Sequence, residues 1–286
     1  MRRFTAILLS ISLASAAWAL EVCVPPGAST RQLQEFNGVE LALEKEGVSF
    51  TRSFNCTQVE LRYPGGVLKV DSLLPSADEE ASQIASLVDG SRVAVVYSDN
   101  LEELASKVVS LIGEERVLFE YRYRPGEKNY SDILRPLVEL KDVNRQRIDT
   151  VVFLGGYQEA ILILPFFRIF HPFPKVVASW RIYHPLIFAY RSFMNTVVFY
   201  EWCPLWEPLI HIRGFVVRYL QKYRKVPTRF AALGYDAARI VVKALEENLP
   251  VEQVRILGVT GLISLGRRVY LLVRVRDLPR IPPPVY

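Results

Sequence analysis

Residues 231–239 read Ala-Ala-Leu-Gly-Tyr-Asp-Ala-Ala-Arg, and their alanine content predicts a helix near the end of the chain. An amphipathic stretch precedes this helix at 215–227 and ends at a proline. A turn-rich Gly258-Val259-Thr260-Gly261 and a strand-like stretch at 269–275 follow it. This order of helix, short loop, helix, turn and strand is the feature of the sequence that bears most directly on the fold.

Strand-like and helix-like stretches alternate through the rest of the chain. Apolar strands are predicted at 21–24 and 49–55 on either side of a helix at 34–46, a β-α-β opening typical of a doubly wound lobe. Further strands with helices between them are predicted at 92–97, 117–123, 150–154, 176–178 and 196–200. This spacing indicates an α/β fold with parallel sheets, whereas residues 61–74 have the composition of an irregular connection.

The two ends of the chain differ in composition from the rest. Arg2 and Arg3 precede an apolar run that ends in Ala17-Trp18-Ala19, a pattern typical of a secretory signal peptide. A retained membrane anchor is the alternative, but the run is shorter than the roughly 20 residues that a spanning helix needs. We therefore expect residues 1–19 to be cleaved and the mature chain to be periplasmic, with no membrane span. Residues 280–286 are expected to form a Pro-rich tail.

The chain has three cysteines, Cys23, Cys56 and Cys203. Cys23 and Cys56 lie near the ends of the first two predicted strands, which should be neighbours in a parallel sheet. In an oxidising compartment these two residues are expected to form a disulfide, and the alternative is a pair of buried thiols that behave as small apolar groups.

Several function classes find little support in the sequence. The formal net charge of +5 comes from dispersed basic residues, so nucleic-acid binding is not expected. The chain contains no nucleophile elbow, no phosphate-binding loop and no dinucleotide-binding glycine motif. His171, His184 and His211 lack the spacing of metal ligands. We expect no catalytic residues, no metal and no cofactor, and hence no enzyme.

The closing section and four further segments together resemble one family, the type I periplasmic binding proteins that include the leucine/isoleucine/valine-binding proteins. The four segments are a hinge-like Ser72–Asp78, a strand Val93–Asp99, a loop Tyr123–Ser131 and Leu154-Gly155-Gly156-Tyr157. The resemblance implies a two-lobed α/β fold with discontinuous lobes. It assigns 20–75 and 202–258 to an N-lobe, and 76–201 and 259–279 to a C-lobe. The first portion of the N-lobe is shorter than is usual in the family, so this lobe is expected to be reduced.

The resemblance also implies a ligand site between the lobes, at the carboxyl ends of the strands. The loops expected there supply five candidate ligand-binding residues, Ser29, Ser98, Asp99, Tyr157 and Trp180. Tyr157 matches a contact position of the family. Amino-acid-binding members place an acidic residue after the strand at 176–178, but this chain has Ser179-Trp180-Arg181. A buried ammonium without a carboxylate is costly, so a neutral or weakly anionic, partly apolar solute is expected.

Nine aromatic residues lie within the short stretch 180–206: Trp180, Tyr183, Phe188, Tyr190, Phe193, Phe199, Tyr200, Trp202 and Trp206. They are interpreted as core and interlobe packing, and the alternative is an aromatic wall of a ligand cleft or a docking patch. Two functions are then expected. The first is a solute-binding protein that delivers a small molecule to an ABC permease. The second is a degenerate binding-protein fold that acts as a protein-interaction module in the cell envelope.

Overall fold

The structure is a computed structural model that describes residues 19–144, 147–184, 187, 190, 194–207, 209–264, 267–268 and 270–278. The predicted signal peptide up to residue 18 and the Pro-rich tail lie outside the described residues, as do Phe188 and Phe193 of the aromatic stretch. In the part of the chain that is described, no helix is both long and apolar enough to cross a membrane.

One unit of the fold, here called the N-lobe, is built on a four-stranded sheet with the strand order β2-β1-β3-β4. Its strands and helices are β1 (Glu21–Cys23), α1 (Thr30–Lys45), β2 (Thr51–Ser53), β3 (Glu60–Tyr63), β4 (Gly66–Lys69), α6 (Ile210–Tyr223) and α7 (Arg229–Glu247). The apolar faces of all three helices pack with the sheet in one core. A small antiparallel sheet follows, with β10 (Ile256–Gly258), β11 (Gly261–Ser264) and β12 (Arg267–Arg268).

Helices α1 and α7 cross at two glycines. A Cβ at Gly38 would lie 1.9 Å from the carbonyl oxygen of Ala231, and one at Gly234 would lie 1.9 Å from that of Glu35. Any side chain at either position would therefore push the helices apart. The glycine and the alanines of residues 231–239 permit this backbone-to-backbone approach, so this stretch fixes the packing of the first helix against the last.

The aspartate of the same stretch anchors the turn that follows. The carboxylate of Asp236 is fully buried and accepts hydrogen bonds from the backbone N–H of Val259 (2.8 Å) and of Thr260 (2.7 Å), and from the Thr260 hydroxyl (2.8 Å). A Cβ at Gly258 would lie 2.5 Å from the Asp236 carboxylate, so a glycine is needed for the turn to approach. Helix α7 and the turn at 258–261 therefore form one structural unit.

The second unit, here called the C-lobe, is a six-stranded sheet with helices on both faces. Its elements are α2 (Ala77–Ser86), β5 (Val93–Ser98), α3 (Glu102–Ile112), β6 (Val117–Tyr123), α4 (Leu134–Asn144), β7 (Thr150–Leu154), α5 (Tyr157–Ile163), β8 (Lys175–Ala178), β9 (Val197–Glu201) and β13 (Leu271–Arg274). Residues alternate along β5 between two cores, one shared with α2 and α3 and the other with α4 and α5. This confirms the predicted doubly wound α/β fold.

Strand direction differs between the two lobes. In the C-lobe the order is β13-β9-β8-β7-β5-β6, and all neighbours are parallel except the edge strand β13. In the N-lobe sheet only β1 and β2 are parallel. The segment at 61–74 was predicted as an irregular connection, and this was wrong. It contributes to a hairpin, because Pro64-Gly65-Gly66 turns the chain and Leu61 pairs with Leu68 across it.

The division of the chain into lobes stays a prediction in its residue ranges. The chain passes from the N-lobe sheet to the C-lobe at 74–76, returns at 202–209, and passes back between β12 and β13. Val259 and Ile263 are buried in the N-lobe core, which argues for a boundary later than residue 258. The four-stranded sheet of the N-lobe is the smaller of the two main sheets, as expected for a reduced first lobe.

A disulfide joins Cys23 in β1 to Cys56, three residues after β2, with the two Cα atoms 6.2 Å apart. Strands β1 and β2 are parallel neighbours, and Cys23 lies opposite Ser53 in their register. This pairing brings the cysteines within reach of each other, as the sequence predicts. Cys203 is buried two residues after β9, and its thiol is not part of a disulfide.

Candidate functional site

The carboxyl ends of the parallel C-lobe strands form one edge of the sheet. The register places Ser98 opposite Tyr123, Tyr97 opposite Leu154, and Phe153 opposite Ala178. The residues that follow these strands therefore lie side by side along this edge. In open α/β sheets such an edge is the usual place for a ligand.

Tyr157 begins α5 at this edge, directly after Gly155-Gly156. Its ring is half-buried and stacks on the imidazole of His184, with ring centroids 4.2 Å apart and planes 11° from parallel. Burial lowers the pKa of His184, and the positive charge of Arg229 lowers it further. The stacked pair therefore offers a largely uncharged, flat surface at neutral pH.

Trp180 follows β8 at the same edge and is only 9% exposed. Its indole packs edge-to-face on Trp202, with ring centroids 5.6 Å apart. The indole Nε1 atom is buried and has no hydrogen-bond partner among the residues that the structure describes. A buried donor that lacks an acceptor costs about 1–3 kcal/mol, so this N–H is a candidate for contact with a ligand oxygen.

The loop that carries Trp180 is held by a buried carboxylate. Glu80 on α2 is 4% exposed and accepts a hydrogen bond from the Ser179 hydroxyl. It also accepts one from the Arg181 guanidinium at 3.2 Å, and that guanidinium lies 4.5 Å from the centroid of the Trp180 ring. These contacts fix the residues on both sides of Trp180, so the indole has a defined orientation.

Arg229, the first residue of α7, reaches this edge from the N-lobe. Its guanidinium donates hydrogen bonds to the carbonyl of Trp180 (3.2 Å) and to that of Tyr183 (3.1 Å). It also lies over three aromatic rings, 4.8 Å from the centroid of Trp180, 5.4 Å from Tyr183 and 5.9 Å from Trp202. The side chain is only 12% exposed. One N-lobe side chain is thus enclosed by groups at the carboxyl edge of the C-lobe sheet.

Glu201, the last residue of β9, provides the negative charge beside this guanidinium. It is fully buried, and one carboxylate oxygen accepts hydrogen bonds from the backbone N–H of Trp202 (3.0 Å) and Cys203 (2.9 Å). The other carboxylate oxygen lies 3.7 Å from the Arg229 guanidinium. Burial and the nearby Glu201 charge both raise the pKa of the Tyr183 hydroxyl, so Tyr183 stays neutral.

The structure brings two of the five predicted site residues, Tyr157 and Trp180, into one neighbourhood through His184, Tyr183 and Arg229. The predicted ligand roles of all five residues are not tested by these contacts and stay predictions.

The hydroxyl of Ser29 is exposed and caps α1, accepting the N–H of Gln32. The hydroxyl of Ser98 is buried and donates to Asn100 at 2.5 Å. Asp99 lies in the first turn of a short 3-10 helix at the end of β5.

Sequence reasoning missed Arg229 and Glu201, although the sequence contains a signal for each. A cation at the first position of a helix is disfavoured by the helix dipole, so Arg229 directly after Thr228 indicates a tertiary role. An acidic residue that ends the apolar strand Val197–Glu201, directly before a tryptophan, indicates a buried charge with a partner. Within the described part of the chain, no group of three His, Cys, Asp or Glu side chains could hold a metal ion.

No protein-family model matches the chain, and no curated protein matches its sequence at a significant level. Solved structures do match its fold. The leucine-binding protein LivK of Thermotoga maritima superposes with a TM-score of 0.58 and 15% identity, over 90% of this chain and 95% of that one. An ABC-transporter solute-binding protein from R. palustris, in complex with benzoate, superposes with a TM-score of 0.55 and 12% identity, over 89% of this chain and 92% of that one.

An extracellular ligand-binding receptor from Desulfohalobium retbaense gives a TM-score of 0.58 at 16% identity. It matches over 87% of this chain, which spans only 56% of that receptor. These matches confirm the fold predicted from the sequence. The chain has the fold of the type I periplasmic binding proteins.

In terms of the type I periplasmic-binding fold, the edge that carries Tyr157, Trp180 and Glu201 belongs to the C-lobe, and Arg229 approaches it from the N-lobe. Groups of the two lobes therefore meet at this edge, and the binding of a ligand there stays a prediction. The candidate site consists of flat aromatic surfaces, one buried N–H without an acceptor, and a guanidinium already paired with a carboxylate.

Proposed function

We propose that the chain is an extracytoplasmic solute-binding protein that delivers a small molecule to an ABC permease. Its fold is that of proteins which carry this function, including neighbours whose names record leucine binding and a complex with benzoate. A binding role also fits a site of aromatic surfaces without a nucleophile or an acid–base pair better than an enzymatic role does. The extracytoplasmic location depends on the predicted cleavage after Ala19, which intact-mass analysis of exported protein would test.

The observation that carries this proposal is the buried indole N–H of Trp180. It lies at the carboxyl edge of the sheet, next to a guanidinium that arrives from the opposite lobe. A solute oxygen at this position would accept the hydrogen bond that no described residue accepts. The solute would thereby recover the free energy that the unpaired donor costs.

The proposed solute has an oxygen acceptor and a partly apolar body, and it lacks an ammonium group. The stacked rings of Tyr157 and His184 would contact the apolar part of the solute. The two buried carboxylates beside Trp180, Glu201 and Glu80, are already paired with Arg229 and Arg181. An ammonium group would therefore be desolvated beside a guanidinium and without a free counter-ion, which disfavours binding.

A matched pair of solutes tests this proposal directly. Leucine and 4-methylpentanoate differ only by the ammonium group, so we expect thermal stabilisation by 4-methylpentanoate or by benzoate and none by leucine. Isothermal titration should then give a dissociation constant for the stabilising acid. The Trp180→Phe variant, which removes the N–H, should weaken binding about tenfold, whereas Trp206→Phe should leave it unchanged. Micromolar binding of leucine would contradict the proposed solute class.

The alternative function, an interaction module of the cell envelope that traps no solute, is favoured by one observation. Arg229 of the N-lobe donates hydrogen bonds to two C-lobe carbonyls and is paired with the carboxylate of Glu201, so contacts within the chain itself join the two lobes. Small-angle scattering distinguishes the two functions. A transport protein should change its radius of gyration when it binds the stabilising acid, whereas a permanently closed module should not.

A further inference from the structure

Four groups at the carboxyl edge of the C-lobe sheet form an enclosure around the guanidinium of Arg229, here called the cation cage. The cage consists of the rings of Trp180, Tyr183 and Trp202 and the carboxylate of Glu201. The carbonyls of Trp180 and Tyr183 accept two of the guanidinium N–H groups. Each of these contacts favours a positive charge at the centre of the cage.

The chemistry of the cage is that of a ligand site for cations. Aromatic faces attract a cation through their quadrupole, and the attraction strengthens when the cation is removed from water. Glu201 is fully buried, so its charge is poorly screened and the cage strongly prefers a charged occupant to a neutral one. Three rings and a buried carboxylate around a guanidinium should contribute more free energy of binding than a surface ion pair does.

Arg229 also occupies a position that is unfavourable within its own helix. It is the first residue of α7, where the helix dipole places positive partial charge, and Thr228 already caps this end. Local helix energetics therefore do not explain an arginine here. The interactions that offset this cost are those with the cage, which belongs to the other lobe.

We infer that the cage is a cation-binding site whose occupant is the chain's own Arg229, and that Arg229 thereby determines the specificity of the interlobe site. With the cage filled from within, a solute ammonium finds no partner, and only solutes without a cation remain suitable. The statement about solutes rests on the proposed function. The statement about the cage does not, because a cation alone can test it.

The test is chemical rescue of Arg229→Ala with ethylguanidinium, which replaces the atoms that this substitution removes. We expect Arg229→Ala to lower the melting temperature by about 5–10 °C, because Glu201 loses its counter-ion. Millimolar ethylguanidinium should raise the melting temperature of this variant by about 3 °C and leave the wild-type protein unchanged. Equal concentrations of sodium chloride and ethylurea control for ionic strength and for the shape of the ligand.

Two further variants keep the test decisive. Arg181→Ala removes a guanidinium that also contacts the Trp180 ring but is half-exposed and paired with Glu80, so ethylguanidinium should not stabilise this variant. Arg229→Ala combined with Glu201→Gln keeps the space without the charge and should bind ethylguanidinium at least about tenfold more weakly than Arg229→Ala alone.

At the melting temperature of Arg229→Ala, or at room temperature if this variant is already partly unfolded, ethylguanidinium must raise the folded fraction. Circular dichroism measures this fraction. No rise, or an equal rise in Arg181→Ala, would overturn the inference. If ethylguanidinium stabilises Arg229→Ala while no solute binds the wild-type protein, the proposed cation cage is supported and the proposed transport function is contradicted. If the wild-type protein binds leucine as tightly as 4-methylpentanoate, the assigned specificity role of Arg229 fails.

Discussion

Two fully buried carboxylates, Asp236 and Glu201, are stabilised in opposite ways. Asp236 accepts three hydrogen bonds from Val259 and Thr260, in the turn between β10 and β11 of the same lobe. Burial raises the pKa of Asp236, and these hydrogen bonds partly offset that effect. Glu201 accepts two backbone N–H groups on one oxygen and relies on the Arg229 guanidinium, from the other lobe, at the second.

The partners of Asp236 stabilise one lobe, whereas the partners of Glu201 also stabilise the association of the two lobes. Donors from the same lobe hold Asp236, so its environment forms whenever the N-lobe folds. The environment of Glu201 is complete only when α7 of the N-lobe meets the edge of the C-lobe sheet. A change at Asp236 should therefore act on folding, and a change at Glu201 should act on folding and on lobe association together.

Asp236→Ala should have the largest effect on stability. It removes the acceptor of three buried donors, and we expect the free energy of unfolding to fall by about 3–5 kcal/mol, measured by urea denaturation. Thr260→Val removes only the hydroxyl donor and should cost about 1 kcal/mol. A loss below about 1 kcal/mol for Asp236→Ala would show that the turn finds other acceptors.

A double-mutant cycle between Glu201→Gln and Arg229→Met should show the interlobe pair. Each single change is expected to cost about 2–4 kcal/mol, and the pair should couple by about 1–3 kcal/mol, because each change leaves the other partner buried without its charge. Arg229→Met and Asp236→Ala lie roughly 10 Å apart along α7 and should be additive. Coupling between Arg229→Met and Asp236→Ala would mean that Glu201 and Asp236 belong to one network.

A third buried carboxylate, Glu35 on α1, extends the comparison to pH. It is 1% exposed, and its pKa is raised to about 7 by burial and by the nearby Asp71, although the Arg31 side chain opposes the shift. A raised folded-state pKa adds stability below about pH 4.5 that is lost as the pH rises through about 7. The free energy of unfolding should therefore fall by about 3 kcal/mol over that range.

Glu35→Gln should remove this fall, because the amide resembles the protonated acid at every pH. Asp71→Asn should reduce the fall by removing a negative charge that raises the pKa of Glu35. Urea denaturation at a series of pH values measures both effects. An unchanged slope in Glu35→Gln would assign the pH dependence to another group.

The smallest effects are expected at two serines that begin matched helices in the two lobes. Ser29 caps α1 and Ser76 caps α2. In each cap the serine hydroxyl accepts the backbone N–H of the residue three positions later, and the serine backbone N–H donates to the side chain of that residue. Ser29→Ala and Ser76→Ala should each cost about 1 kcal/mol in thermal or chemical denaturation. Solute affinity should be equal in both variants if Ser29 is only a cap. A selective loss of affinity in Ser29→Ala would support its predicted contact with the solute.

The C-lobe could be predicted from the sequence because its strands and helices are each recognisable from a short continuous stretch of residues. Short apolar runs such as Val93–Ser98 and Thr150–Leu154 are buried on both faces and alternate with amphipathic helices, which is sufficient to indicate a parallel sheet. The edge with Tyr157 and Trp180 follows from strand direction alone. The hairpin of β3 and β4 was missed because its strands are short, and the Pro64-Gly65-Gly66 turn was not used as evidence.

The pairing of Arg229 with Glu201 could not be predicted in the same way. No periodic pattern connects a helix start to a strand end in another lobe, and a hydrogen bond such as that from Arg229 to Trp180 spans 49 positions. The residue types were visible, but which aromatic rings would surround the guanidinium depends on how the lobes meet. Sequence patterns specify elements well and the contacts between lobes poorly.

The close crossing of α1 and α7 has a consequence for the order of events during synthesis. Thr228 at the start of α7 bonds Gln34 on α1, although 194 positions separate them. The disulfide can close around α1 early, but the apolar face of this helix stays uncovered until almost the whole polypeptide has emerged. Residues 77–201 form a continuous stretch that can become compact first. A factor that shields nascent chains would therefore be needed mainly by residues 20–70, and for nearly the whole time of translation.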